Sequence, residues 1–147
     1  MEAAYSPTQE KPSLEIARGD ARIKQWLDNL GDRGGDIALV AENMDTLSVG
    51  AIWCRTFQAD QIAGEVGYVS GAIPTIAIGV EPDKRDHGVG SLLLKKLSSI
   101  AHDNGYEGLS LCVGETNPAL RLYLRNGFEI IKQEGNTLIM LKNLLNR

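Results

Sequence analysis

Thr75-Ile-Ala-Ile-Gly-Val80, followed after Glu81-Pro82 by Arg85-Asp-His-Gly-Val-Gly90, decides how the chain reads. The first run is apolar and rich in β-branched residues, which predicts a buried strand. From Val89 onward, Val89, Leu93, Leu97 and Ile100 recur at helical spacing, and Gly105 supplies a left-handed stop. The unit is therefore strand, glycine turn, then helix from about Gly88. The first amides of a helix have no internal partner, and the helix dipole places partial positive charge there. Gly88 and Gly90 carry no Cβ, so an anion can approach the backbone closely. Arg85 adds a cation, and His87 and Ser91 add donors. Two other phosphate motifs do not fit. A Walker loop ends in Gly-Lys-Ser/Thr, whereas Gly90 precedes Ser91-Leu92, and Leu93 stands where a dinucleotide fingerprint needs a small residue. By itself the Arg-x-x-Gly-x-Gly pattern fits a ligand-free strand-to-helix turn as well as a phosphate cradle.

Working outward, Ile37 to Ala41 and Leu47 to Phe57 read as strands joined by a turn at Asn43-Met44-Asp45. Gln58 to Gly71 reads as a loop with a short strand near Val66-Gly67-Tyr68. Upstream, Ile23, Trp26, Leu27 and Leu30 fit one face of a helix within Leu14–Leu30, stopped at Gly31. Residues 1–13 carry no periodic pattern and read as a loose arm. Downstream come a strand at Leu109–Val113 and a helix opened by Asn117-Pro118 and closed at Asn126-Gly127. A final strand pair, Phe128–Ile131 and Thr137–Leu141, turns at Gly135-Asn136. The order predicts one mixed α/β (α+β) domain, with a mostly antiparallel sheet and one parallel crossover.

The bulk numbers agree with an ordinary soluble globular domain. The 147 residues are 43% hydrophobic and 23% charged, enough for a real core. A net charge of -4 argues against a general nucleic-acid binder but leaves room for a local basic site. The chain has no long apolar run, so no membrane partner is expected. Cys54 and Cys112 have no metal-type spacing and read as small strand residues in a reducing, cytoplasmic setting. No metal-ligand cluster is present.

These residues together resemble the GNAT superfamily of N-acetyltransferases. The family's acetyl-coenzyme A motif, Arg/Gln-x-x-Gly-x-Gly/Ala after its fourth strand, is matched by Arg85, Gly88 and Gly90. A second family segment is matched by Asn117-Pro-Ala-Leu-Arg-Leu-Tyr-Leu-Arg-Asn-Gly-Phe128, and Gly50-Ala-Ile-Trp-Cys-Arg55 is similar to a Gly-Ala-Ala-Trp-x-Arg strand of one bacterial branch. The resemblance spans roughly Asp36 to Lys142. It implies a transferase acting on a primary amine with acetyl-coenzyme A as cosubstrate, and helices on both faces of a sheet splayed between the family's fourth and fifth strands. In that layout Ile78 and Val80 offer backbone groups to the pantetheine arm. The segment Arg85, Asp86, His87, Gly88, Val89, Gly90 and Ser91 meets the pyrophosphate, and Asn117 touches the pantetheine. Tyr123 contacts the cosubstrate and protonates the departing thiolate.

Three departures qualify the resemblance. Thr75 stands where the related branch has an acid, which leaves Glu65 and Glu115 as candidate bases, beside a water relay or an amine that deprotonates freely. Asp86 sits in the phosphate turn, where the family prefers Gly or a neutral residue, so its side chain is expected to face solvent and the cosubstrate to bind more weakly. The family's first strand is expected to be missing or reduced, a wall that a homodimer would complete. Two alternatives stay open: a non-catalytic coenzyme A sensor, and a protein lysine or N-terminal acetyltransferase taking a peptide acceptor.

Overall fold

The computed structural model describes residues 19–145. The expected loose arm, the helix start at Leu14 and the question of a first strand lie outside the described residues. In chain order the elements are α1 (Ala21–Leu27), β1 (Ile37–Glu42), β2 (Ser48–Arg55), β3 (Thr75–Val80), α2 (Val89–Asp103), β4 (Gly108–Gly114), α3 (Ala119–Arg125), β5 (Phe128–Glu134) and β6 (Thr137–Asn143). They build one sheet in the order β1-β2-β3-β4-β6-β5, and β3–β4 is its parallel pair. This is the expected mixed, mostly antiparallel architecture.

The parallel pair forms only at its base. Thr75 pairs with Ser110, and Ser110 N–H donates to the Pro74 carbonyl at 3.0 Å. The Thr75 and Ser110 hydroxyls, both fully buried, sit 2.9 Å apart across the same two strands. Beyond this stitch β3 and β4 part, and the space between them opens toward the N-terminus of α2.

Alternation along the strands sorts the two faces. Ile52, Ile76, Leu111 and Met140 turn toward α2 and join Leu93, Leu94 and Leu97 in the core. Gly50 is on that side, where an added Cβ would lie 3.1 Å from the Gly79 carbonyl and 3.2 Å from Val89 Cγ1. Arg55 turns to the opposite face and anchors α1. Its guanidinium, fully buried, is paired with Asp36 at 2.9 Å and donates to the carbonyls of Gln25, Asp28 and Asn29. Helices thus cover both faces.

This anchoring explains why α1 ends at Leu27, earlier than the periodicity suggests: the chain turns there to present its last carbonyls to Arg55. Ile23 and Trp26 face inward, whereas Leu27 and Leu30 are exposed. Asp36 is held by Arg55 and by the N–H groups of Gly31 and Arg33. Burial works to raise its carboxyl, but these hydrogen bonds and the charge of Arg55 outweigh it and hold the group below the usual carboxylate range.

The strand expected at Val66-Gly67-Tyr68 is not formed; the segment is an irregular loop. Its backbone lies directly on β4, leaving no room for ladder pairing. A Cβ on Gly67 would be 2.3 Å from the Leu111 carbonyl carbon and 2.4 Å from the Cys112 nitrogen. Both cysteines are free; Cys54 is buried and Cys112 half-buried.

Candidate active site

The opening between β3 and β4 continues into a cleft of about 860 Å³, bounded by the end of β3, the turn before α2, and α3. The β3 edge facing it has no ladder partner beyond Thr75. Glu81 N–H donates to the Val49 carbonyl at 2.8 Å, so the antiparallel alternation turns the Gly79 and Ala77 groups toward β2. The backbone groups of Ile78 and Val80 therefore point the other way, into the space that β4 has left.

The glycine turn joins this edge to α2. Gly88 adopts φ +83°, which favours glycine, and a Cβ there would meet nothing within 4 Å. The first backbone donor of the helix ladder is Leu92, which bonds the Gly88 carbonyl at 3.1 Å. The amides of Val89, Gly90 and Ser91 precede it and lie beside the cleft without helical partners. Gly90 has a different reason to be glycine. A Cβ there would be 2.8 Å from Leu122 Cδ2, so Gly90 lets α3 press against α2. Asn126 Nδ2, donating to Ser91 Oγ at 3.2 Å, ties the same two helices.

Arg85 folds back over β3, and its Nε donates to the Val80 carbonyl at 3.1 Å. Asp86 is exposed on the cleft wall with φ +64°, a left-handed conformation that glycine would adopt without strain. That geometry gives a physical reason for the family's preference for glycine at this position. His87 is exposed and does not line the cleft. Asn117 caps α3, accepting from Ala119 N–H at 2.9 Å, and also lines the cleft.

Three cations in the cleft wall escaped the sequence reading: Lys84, Arg121 and Arg125. The two arginines lie one helical turn apart on α3, so both face the same way. The signal was present in their spacing, but nothing in the sequence told which face of α3 meets the turn.

Tyr123 is buried on α3, edge-on to Phe128 at 6.0 Å between ring centres, and borders the cleft. Its hydroxyl has no hydrogen-bond partner among the described residues. Burial, with a smaller contribution from Cys112, pushes the phenol up to about 12. Of the candidate bases, Glu115 lines this cleft and accepts from Gln133 Nε2 at 2.9 Å. Glu65 lies on the other face of the sheet, exposed. Thr75, fully buried against Ser110, is not part of the cleft wall.

The residues fit coenzyme A by their own geometry: an open glycine cradle, free helix amides, an unpaired strand edge and a cationic wall in one continuous cleft.

Known proteins share this fold. Among solved structures, the chain is similar to the PaiA N-acetyltransferase of Thermoplasma acidophilum in complex with coenzyme A, at 21% identity and a TM-score of 0.58 over 74% of this chain and 61% of that one. It thus spans 61% of the length of that relative. It is similar to the GNAT domain of S. lividans PAT, at 14% identity and a TM-score of 0.69, covering 97% of this chain and 77% of that one. A phosphinothricin acetyltransferase of Sinorhizobium meliloti in complex with AcCoA aligns at 17% identity and a TM-score of 0.62, covering 96% of this chain and 74% of that one. These likenesses carry the fold. No curated protein matches the chain. Residues 36–130 match the family described as acetyltransferase (GNAT) domain, which is most of the chain, and the protein belongs to that family.

Proposed function

We propose that the protein moves the acetyl group of acetyl-coenzyme A to a primary amine by direct attack within a ternary complex. The observation that carries this reading is the unpartnered Tyr123 hydroxyl, which shares one cleft with the glycine turn and the free edge of β3. In this reading the backbone of Ile78 and Val80 aligns the pantetheine arm as an added strand would. The amides of Val89, Gly90 and Ser91 receive the pyrophosphate. Asp86 at the mouth weakens that attraction, while Lys84, Arg121 and Arg125 strengthen it.

The acceptor nitrogen attacks the thioester carbon, the C–S bond breaks, and the products are an N-acetyl amine and the free thiol. A backbone N–H near Ile78–Val80 holds the carbonyl oxygen as it gains charge. Tyr123 gives its proton to the leaving sulfur. A phenol held near 12 is fully protonated at neutral pH. It is also weaker than a typical thiol, so its proton moves as the newly acylated nitrogen sheds one. The buried Thr75 takes no part, and the acceptor is deprotonated by water or by a carboxylate at the rim.

The test is acetyl transfer measured across a panel of small primary amines and lysine peptides. Turnover with any of them supports the reading, and peptide preference would favour a protein-modifying enzyme. Tight coenzyme A binding with no transfer would favour a sensor domain, a role that the burial of Thr75 in place of an acid also suits.

A further inference from the structure

The face of the sheet turned away from α2 and α3 carries a second cleft, of about 520 Å³. Its floor is Cys112 on β4 and Ile139 on β6, directly opposite one another in the ladder. One wall is the loop that Gly67 seats on β4, bringing Glu65 and Tyr68 to the rim. The other is β5, with Ile131 and Lys132.

The charges in this cleft do not cancel. Lys132 is paired with Glu134 at 2.7 Å, so these two neutralise each other. Glu65 has neither an ion pair nor a hydrogen bond among the described residues. The Cys112 thiol is pushed up to about 11, by burial first and then by the charge of Glu65, so the floor is neutral at ordinary pH. The result is an apolar trough with one unanswered carboxylate at its lip.

Its position also matters. Cys112 follows Ser110, the last residue of β4 stitched to β3, and so stands where the two strands begin to part. Tyr123 approaches that region from the opposite face, near enough for the charge of Cys112 to raise its phenol. The second cleft therefore backs onto the place where the thioester would lie.

We propose that this cleft seats the acceptor, and that it selects a primary amine carried on an apolar body, with Glu65 as the counter-charge of the ammonium. The proposal rests on the acetyl-transfer reading for its purpose but not for its test. The ammonium N–H groups donate to the Glu65 carboxylate, and the apolar body lies along Ile131 and Ile139. A polyamine is disfavoured because its second cation would meet the apolar floor, and an acidic amine because Glu65 repels it.

The experiment uses the full chain saturated with coenzyme A and 2-phenylethylamine as probe, with isoleucine methyl resonances read by NMR. Shifts at Ile131 and Ile139 are expected, with affinity about tenfold weaker in Glu65→Gln, as for loss of a charged hydrogen bond. The neutral isostere 2-phenylethanol should bind both proteins alike. Putrescine should bind the native protein more weakly than the probe. Absence of shifts at these methyls, or equal affinity in Glu65→Gln, would overturn the proposal. Acetyl transfer is then followed separately. Saturable, Glu65-dependent binding without transfer upholds the site and sinks the acetyl-transfer reading. Transfer whose KM is indifferent to Glu65→Gln upholds that reading and sinks the site.

Discussion

Replacing Gly67 by alanine should be the most damaging one-carbon change in the loop between β2 and β3. Two separate penalties meet at this residue. Its φ is +91°, outside the range an L-residue adopts comfortably, which costs about 1–2 kcal/mol. The new Cβ would also lie 2.3 Å, 2.4 Å and 2.8 Å from three backbone atoms of Leu111 and Cys112. These atoms belong to a strand paired along its length with β6, so they cannot swing aside as a side-chain tip would, and overpacking of this kind costs about 1–3 kcal/mol more. The sum is about 2–5 kcal/mol. With a urea slope of about 2 kcal/mol/M, the unfolding midpoint should fall by about 1–2.5 M. Gly64→Ala is the internal control. Its φ is +70°, but the added Cβ would meet only the flexible side chain of Arg22, at 3.1 Å, so it should show the backbone penalty alone. If Gly67→Ala is no more destabilising than Gly64→Ala in urea titrations at the same slope, the loop does not rest on β4 as described.

Tyr123→Phe should lower kcat about a hundredfold or more while coenzyme A affinity by calorimetry stays unchanged; equal turnover removes the phenol from the chemistry. With its phenol near 12, the native enzyme should show no alkaline loss of kcat from this group below pH 11. Asp86→Gly should relieve a left-handed residue, stabilising the chain by up to about 1 kcal/mol, and tighten coenzyme A binding a few-fold at low salt. An unchanged dissociation constant would show that the carboxylate does not feel the phosphates. Asp36→Asn leaves the Arg55 guanidinium buried without its counter-charge and should cost about 3 kcal/mol at pH 7. Because the folded carboxyl sits below its ordinary value, this stabilisation is complete above about pH 4 and fades as pH falls through the lower folded value. The variant should therefore lose less stability than the native chain on acidification, as followed by circular dichroism.

What the sequence made legible were features written locally. The run Thr75–Val80, the glycines after it and the periodicity from Val89 lie within one stretch, so strand, turn and helix could be read together. Asn117 and Gly127 likewise bracket α3 by cap chemistry that needs no distant partner. Contacts between remote segments were not readable. Thr75 looked like a lost acid, because its hydrogen-bond partner Ser110 belongs to another strand. Gly90 looked like room for a phosphate, because Leu122, the side chain it accommodates, lies on the next helix. Val66-Gly67-Tyr68 carried a strand-like composition, yet its backbone spends its freedom on close contact with β4. Lys84, Arg121 and Arg125 were ordinary surface charges until the fold turned them into one wall.

The Thr75–Ser110 stitch has a further consequence: it makes β3 a ruler. From the stitched residue to Val80 there are five strand steps, about 16 Å at a rise of roughly 3.3 Å each. A linear ligand hydrogen-bonded along this edge has that much track and then meets two buried hydroxyls joined across it. Moving the stitch one pair up or down would shift the end of the track by a whole side-chain alternation. The length of linear ligand that can lie there is thus counted in residues of backbone.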